Sequence, residues 1–212
     1  MKKTPTDGAE TVDPLVQKDR EIAELKGMLE DLARSKNNEI EQLKNRYANN
    51  ERALSDLEKA KRELEKSLEK EISAYKAKLQ MTDRGLVITF LSEILFDPGK
   101  DAIKENGKLT LEEVGQVLRK DVLSSIVAVE GHTDNQPIKR SGWKSNWELS
   151  TARALSVVHF MIDDCGVSPE RLSAVGYGEY HPSDSNATPA GQAKNRRVEI
   201  LILPSNIKKV GK

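Results

Sequence analysis

The chain has 212 residues, and its 34 Lys+Arg balance its 34 Asp+Glu, so the formal net charge at pH 7 is zero. This balance provides no overall field that would select nucleic acid or an anionic membrane, and any charged partner must therefore be recognised locally. The single cysteine, Cys165, excludes an intrachain disulfide and a cysteine-based zinc site, and the longest apolar runs are far shorter than the roughly 20 residues of a membrane helix.

The first predicted element is a long helix. Asp13-Pro14 combines an N-cap residue with a proline at the first helical position, and Gly27 is the only glycine between residues 13 and 78. Apolar residues recur at heptad spacing in Leu15, Ile22, Leu25, Leu29 and Leu32 and, after a break, in Ile40, Leu43, Tyr47, Leu54, Leu57, Leu64, Leu68 and Tyr75. The pattern predicts a coiled coil over residues 13–80, through which the chain forms a homo-oligomer (dimer or trimer). The segment before it, 1–12, is predicted to be disordered. A lone helix with many charged pairs stays an alternative.

Beyond residue 81 the periodicity changes to that of strands and short helices. The predicted strands are Gly85–Phe90, Ile94–Phe96, Ser124–Glu130, Leu172–Tyr177 and Val198–Leu203, and the predicted helices are Lys108–Leu118 and Asn146–Cys165. Strands that alternate with two amphipathic helices predict an α+β two-layer sandwich over residues 81–204. Residues 205–212 are predicted to be a flexible tail.

Polar residues cluster where two of these elements meet. The segment Glu130–Asn135 ends a predicted strand, and Gly131 allows close approach of the backbone, which is typical of ligand sites in α/β folds. The next helix begins at Asn146 and carries Arg153 about two turns further on, so the arginine can face back toward the strand end.

Residues from about Gly85 to Leu203 of this chain resemble the OmpA-like domain. The resemblance rests on the two polar segments just described and on Asn195-Arg196-Arg197 before the last strand. The stretch between residues 131 and 154 is most similar to the MotB branch of that family. The resemblance implies a βαβαββ fold and non-covalent binding of peptidoglycan through diaminopimelate in its stem peptide. It also implies that Asp134 meets the ammonium group of the ligand and that Arg153 pairs with its carboxylate. Further pocket positions implied in this way are Thr133, Asn146, Arg196, Phe96 and Asp97.

The residues also allow less specific interpretations. From spacing alone, Asp134 could cap its loop, and Arg153 could pair with Glu148 or Asp134 at the surface. His132 invites a metal or acid–base role, but no ligand spacing recurs, so we predict a structural histidine and no metal or cofactor. No catalytic triad or carboxylate pair stands in a matching motif, so we predict no enzyme activity.

The resemblance favours a periplasmic envelope protein anchored to the cell wall, with the coiled coil as spacer. The alternative is the periplasmic fragment of a MotB-like flagellar stator, a role that needs a membrane helix with a proton-binding carboxylate. An intracellular coiled-coil scaffold is a third hypothesis. No apolar run follows Lys3, which predicts no signal peptide in this chain. We expect Asp134 and Arg153 to hold the stem peptide between them only if the loop Gln136–Lys144 leaves the space between these two residues open.

Overall fold

The computed structural model describes residues 13–139 and 142–204. The predicted disordered start, 1–12, and flexible tail, 205–212, lie outside the described residues. The chain divides into two compact units, Met1–Asn49 and Asn50–Lys212.

The first element is helix α1, Pro14–Ser67, which passes from the first unit into the second. Its start agrees with the predicted N-cap, because the Asp13 carboxylate accepts a hydrogen bond from the backbone N–H of Leu15 at 3.0 Å. Every described side chain of the first unit is exposed. The coiled coil therefore stays a prediction for this part of the helix, whose apolar side chains have no partner within the described chain.

The boundary predicted between the coiled coil and the domain lies at residues 80 and 81, whereas the boundary between the two units of the structure lies at Asn49 and Asn50. After α1 comes a short helix α2, Glu69–Ser73, and Tyr75, with φ of 56°, turns the chain into strand β1, Ala77–Thr82. Three predicted heptad residues, Leu57, Leu64 and Leu68, are buried in the core of the second unit. Apolar residues spaced three, four and seven apart are equally suited to a helix that packs on a sheet, so the heptad pattern could not distinguish the two.

The second unit is built on a five-stranded sheet in the order β1-β2-β5-β3-β4. Its other elements are β2 Gly85–Leu91, α3 Ser92–Leu95, α4 Glu105–Lys120, β3 Ile126–His132, α5 Asn146–Asp163, a 3₁₀ turn Pro169–Arg171, β4 Leu172–Gly176, α6 Pro189–Asn195 and β5 Arg197–Leu203. Only β3 and β4 pair in parallel, and the other neighbours are antiparallel. The predicted α+β sandwich is confirmed, and β2, α4, β3, α5, β4 and β5 follow the βαβαββ order.

Two segments differ from the predicted elements. The run Ile94–Phe96 is not a strand: its first residues lie in α3, and Phe96 makes a single bridge to Ile103. A short apolar run does not distinguish a buried strand from a buried helical turn. Strand β1 was predicted as helix, although its apolar residues alternate with Lys78 and Gln80 in the two-residue period of an edge strand.

A pair of glycines allows α5 to lie directly on the ends of two strands. Gly131 and Gly176 are neighbours in the register between β3 and β4. A Cβ atom at residue 131 would lie 2.1 Å from the carbonyl oxygen of Ser150, and one at residue 176 would lie 2.1 Å from the hydroxyl oxygen of Thr151. This close approach sets the first turns of α5 against the strand end where the polar cluster begins.

Burial of the end of α1 predicts a measurable loss of stability on truncation of one side chain. Leu57 is 1% exposed in the core, so we expect Leu57→Ala to lower the free energy of unfolding of the second unit by about 2–3 kcal/mol. Leu54, one turn earlier and 50% exposed, is the matched control, and Leu54→Ala is expected to change it by less than about 0.5 kcal/mol. Urea denaturation followed by near-UV circular dichroism measures both. Equal effects would contradict the assignment of residues 50–68 to the domain.

Candidate binding cleft

A cleft of about 990 Å³ opens beside the end of β3, between the start of α5 and the segment after α3. The structure brings all seven predicted site residues to its wall: Phe96, Asp97, Thr133, Asp134, Asn146, Arg153 and Arg196. Residues 136–139 of the following loop also line it, and the Trp143 indole N–H donates to the carbonyl of Gly99 at 2.9 Å. As far as it is described, the loop therefore borders the cleft and leaves it open.

Arg153 is a buried cation that is held by backbone oxygens. It is 5% exposed, its Nε donates to the carbonyl of Lys100 at 2.9 Å, and its Nη2 donates to that of Asp97 at 3.3 Å. Its guanidinium carbon lies 5.2 Å from the centre of the Phe96 ring, a cation–π distance. Burial, followed by the nearby charge of Arg196, lowers the pKa of Arg153 to about 10, so the group stays protonated at neutral pH.

No carboxylate of the described chain lies within 4 Å of the Arg153 guanidinium. The two candidate surface partners are engaged elsewhere: Glu148 accepts from the Ser145 hydroxyl at 2.5 Å, and Asp134 pairs with Arg196. The interpretation of Arg153 as half of a surface ion pair is therefore wrong. A buried cation without a carboxylate in direct contact is costly, so an anion that enters the cleft can pair with this arginine.

Asp134 is fixed in position by its own loop. Its side chain accepts from the backbone N–H of Gln136 at 3.1 Å and from Nη1 of Arg196 at 2.5 Å. Thr133 donates its hydroxyl hydrogen to the Asp134 carbonyl at 2.9 Å, and its backbone N–H donates to Gly178. The loop-capping interpretation of Asp134 is thus correct, but the carboxylate also forms an ion pair at the cleft wall.

Asn146 ties the two sides of the polar cluster together. Its amide nitrogen lies 3.1 Å from the carbonyl of Gln136, 3.3 Å from that of Asp134 and 2.6 Å from the carboxylate of Glu179. Glu179 was not among the predicted site residues. It lies in the turn-rich segment after β4, and only the fold brings that segment next to the start of α5.

The cleft combines two opposite charges in different environments. Arg153 is a buried cation, whereas the Asp134 carboxylate is shared with Arg196, whose side chain is 44% exposed and can move. Such a cleft can accept a ligand with a carboxylate group at one end and an ammonium group a few ångströms away. The fork of an arginine also suits the planar carboxylate through two parallel hydrogen bonds.

A second polar cluster lies outside this cleft. His132 is 3% exposed and stacks on Tyr177 with ring centres 5.1 Å apart. Burial, with the charge of Arg197 as the next cause, lowers the pKa of His132 to about 3. Its nitrogens and the carboxylates of Glu130 and Glu199 bring possible ligand atoms within 4.8 Å of one another. The sequence spacing missed this group because its members come from two strands that are distant in the chain.

The comparisons with known proteins agree with this fold. The model of the OmpA family matches residues 95–196. Motility protein B of Bacillus subtilis is 40% identical over 149 residues, which cover 70% of this chain and 57% of that protein. The chain spans about half the length of the curated relatives that it matches.

Two solved structures are also similar to this chain. The cell wall anchor of the T6SS from Pseudomonas aeruginosa has 31% identity and a TM-score of 0.61, with 66% of this chain and 96% of that one covered. The periplasmic domain of Helicobacter pylori MotB (residues 78–256 of that protein) has 31% identity and a TM-score of 0.57, with 60% and 82% covered. In the described ranges, no helix combines the length and apolar character needed to cross a membrane. Residues 95–196 of this chain form a domain of the OmpA family.

Proposed function

We propose that this domain binds peptidoglycan non-covalently, through diaminopimelate of the stem peptide, and anchors an envelope protein to the cell wall. The observation that carries the proposal is the buried Arg153 guanidinium, which lines an open cleft with Asp134 and lacks a carboxylate partner in the described chain. A ligand carboxylate would supply the missing counter-ion.

The chemistry of diaminopimelate fits this cleft. At its free end one carbon carries both an amine and a carboxylate, so a protein that recognises it needs a cation and an anion close together. Arg153 uses two N–H groups to hold itself to the carbonyls of Lys100 and Asp97, and it has further N–H groups for a ligand. Asp134 supplies the anion, with its orientation fixed by Gln136.

The similar proteins support the same role. One of them is described as the cell wall anchor of the T6SS, and another is the periplasmic domain of MotB. We infer a periplasmic location, because peptidoglycan lies there.

Removal of the negative charge at Asp134 is the first test. We expect Asp134→Asn to weaken binding to purified sacculi by roughly 10- to 100-fold, because a hydrogen bond to a charged group contributes about 1.5–3 kcal/mol. Co-sedimentation at several sacculus concentrations measures the affinity, with Asp83→Asn as the control because Asp83 lies exposed in the turn between β1 and β2. A diaminopimelate-containing tripeptide should compete with the sacculi for wild type. If it does not reduce the amount of wild type that sediments, the proposed ligand is wrong.

We further infer that the first unit forms a homo-oligomer through α1. Its exposed apolar side chains include Ile22, Leu25, Leu29 and Leu32, and the heptad pattern resumes at Ile40 and Tyr47 after an eleven-residue step from Leu29 to Ile40. In analytical ultracentrifugation the full chain is expected to sediment as a dimer or trimer, and a chain that begins at Asn50 as a monomer. A monomeric full chain at about 100 µM, far above the Kd of a stable coiled coil, would rule out this role.

A second candidate is the periplasmic part of a MotB-like flagellar stator. The observation that favours it is the 40% identity to Motility protein B of Bacillus subtilis. Deletion of the gene separates the two roles. Cells that keep normal flagella but lose swimming would support the stator, and cells that swim normally would leave the general cell-wall anchor.

A further inference from the structure

The face of the sheet that points away from α5 carries two carboxylates directly opposite each other. Glu130 of β3 and Glu199 of β5 are partners in the antiparallel register. Gly131 faces Ser150 of α5, so its neighbours Glu130 and His132 point to the other face by the alternation of a strand. Like charges directly opposite across two strands repel each other, so this pair requires a cation nearby.

The histidine beside this pair has no hydrogen-bond partner among the described residues. Both ring nitrogens of His132 are fully buried, and neither forms a hydrogen bond with any group of the described chain. A neutral imidazole has one N–H donor and one lone pair, and a buried histidine normally satisfies at least one of them. The free lone pair lies close to the two carboxylates, since the possible ligand atoms of all three residues are within 4.8 Å of one another.

Two arginines now neutralise the carboxylates, and they differ in mobility. Arg197 is 7% exposed in its side chain, and it donates to Glu199, to the Asn195 carbonyl and to the His181 carbonyl. Arg84 lies in the turn between β1 and β2, and its side chain, which pairs with Glu130, is 56% exposed. Arg84 can therefore move into solvent while Arg197 stays in place.

We propose that Glu130, His132 and Glu199 form a binding site for a divalent transition-metal ion of the zinc class, which replaces Arg84 as the cation between the carboxylates. One imidazole nitrogen with two carboxylate oxygens is a common ligand set for Zn²⁺. One oxygen of Glu199 accepts from Arg197, and the other is available to the ion. A cleft of about 970 Å³ reaches Glu199, one of the three proposed ligands, and is also lined by Arg84 and Arg197.

Calorimetric titration of the full chain with Zn²⁺ at pH 7, after removal of any affinity tag and treatment with a chelator, tests this site. We expect one Zn²⁺ per chain, and we expect Arg84→Ala to bind it roughly tenfold more tightly because the competing cation is gone. Glu199→Gln is expected to bind at least about tenfold more weakly. Mg²⁺ should bind much more weakly, because it prefers an octahedral set of oxygen ligands.

Three controls separate this site from adventitious binding. His159→Asn removes an exposed histidine on α5 and is expected to leave Zn²⁺ binding unchanged. His132→Asn should abolish binding, and if that variant does not fold, Arg84→Ala and Glu199→Gln decide the question. The proposal is overturned if neither wild type nor Arg84→Ala binds Zn²⁺, or if Glu199→Gln binds it as tightly as wild type.

Discussion

Arg153→Ala is expected to weaken binding to purified sacculi on the order of 100-fold or more. Removal of one member of a buried charge pair costs about 2–5 kcal/mol, since the charge on the ligand is left without its partner. Arg153 is 5% exposed and sits on the Phe96 ring, so water cannot replace it fully. Co-sedimentation measures the loss of affinity, and thermal denaturation shows whether the variant is still folded.

Two further variants define what the arginine contributes. Arg153→Lys keeps the charge, but a lysine cannot span the carbonyls of Lys100 and Asp97 and also offer a planar fork, so we expect affinity between those of wild type and Arg153→Ala. Arg119→Ala, which removes an exposed arginine at the end of α4, should bind as wild type does. If Arg119→Ala loses as much affinity as Arg153→Ala, binding depends on overall charge and the cleft is not the site.

Gly131→Ala is expected to lower the free energy of unfolding by about 4 kcal/mol or more, which is at the high end for a single substitution. The added Cβ atom would lie 2.1 Å from the backbone oxygen of Ser150, so a rotamer change cannot relieve the collision. Helix α5 must move away from β3, and that movement would displace Asn146 and Arg153 at the cleft. Urea denaturation measures the stability, and co-sedimentation with sacculi measures the accompanying loss of binding.

Gly27→Ala is the matched control for this substitution. No atom lies within 4 Å of the position that a Cβ would take at residue 27, in the exposed interior of α1. Alanine there favours the helix by about 0.5–1 kcal/mol, so the first unit should become slightly more helical and the unfolding of the second unit should not change. A Gly131→Ala variant that is as stable as wild type would show that α5 does not rest on β3 as closely as described.

Most strands and both large helices of the domain could be predicted because their periodicity is strong. The helix that begins at Asn146 has a Ser145 N-cap and a clear apolar face, and its predicted start agrees with the structure. Strand β1 could not be identified in the same way. It follows a helix with only a short break, and Tyr75, the residue that ends the helical course, adopts a positive φ that is uncommon for a tyrosine.

The site shows a different limit of sequence analysis. Family resemblance selected residues that line one cleft, including Asp134 and Arg153, and their roles toward a ligand stay predictions. What resemblance could not provide was the pairing within the cleft. Arg196 comes from the segment before β5, and Glu179 from the loop after β4, so their contacts with Asp134 and Asn146 depend on the strand order of the sheet.

The burial of the last turns of α1 also determines how the domain would carry a mechanical load. A tension applied at Asn50 along the axis of α1 would slide Leu57, Leu64 and Leu68 past the apolar core before the helix could detach. Sliding in shear strains many contacts simultaneously, whereas peeling would break them one after another. The last turns of α1 are thus expected to be a mechanically stiff part of the domain.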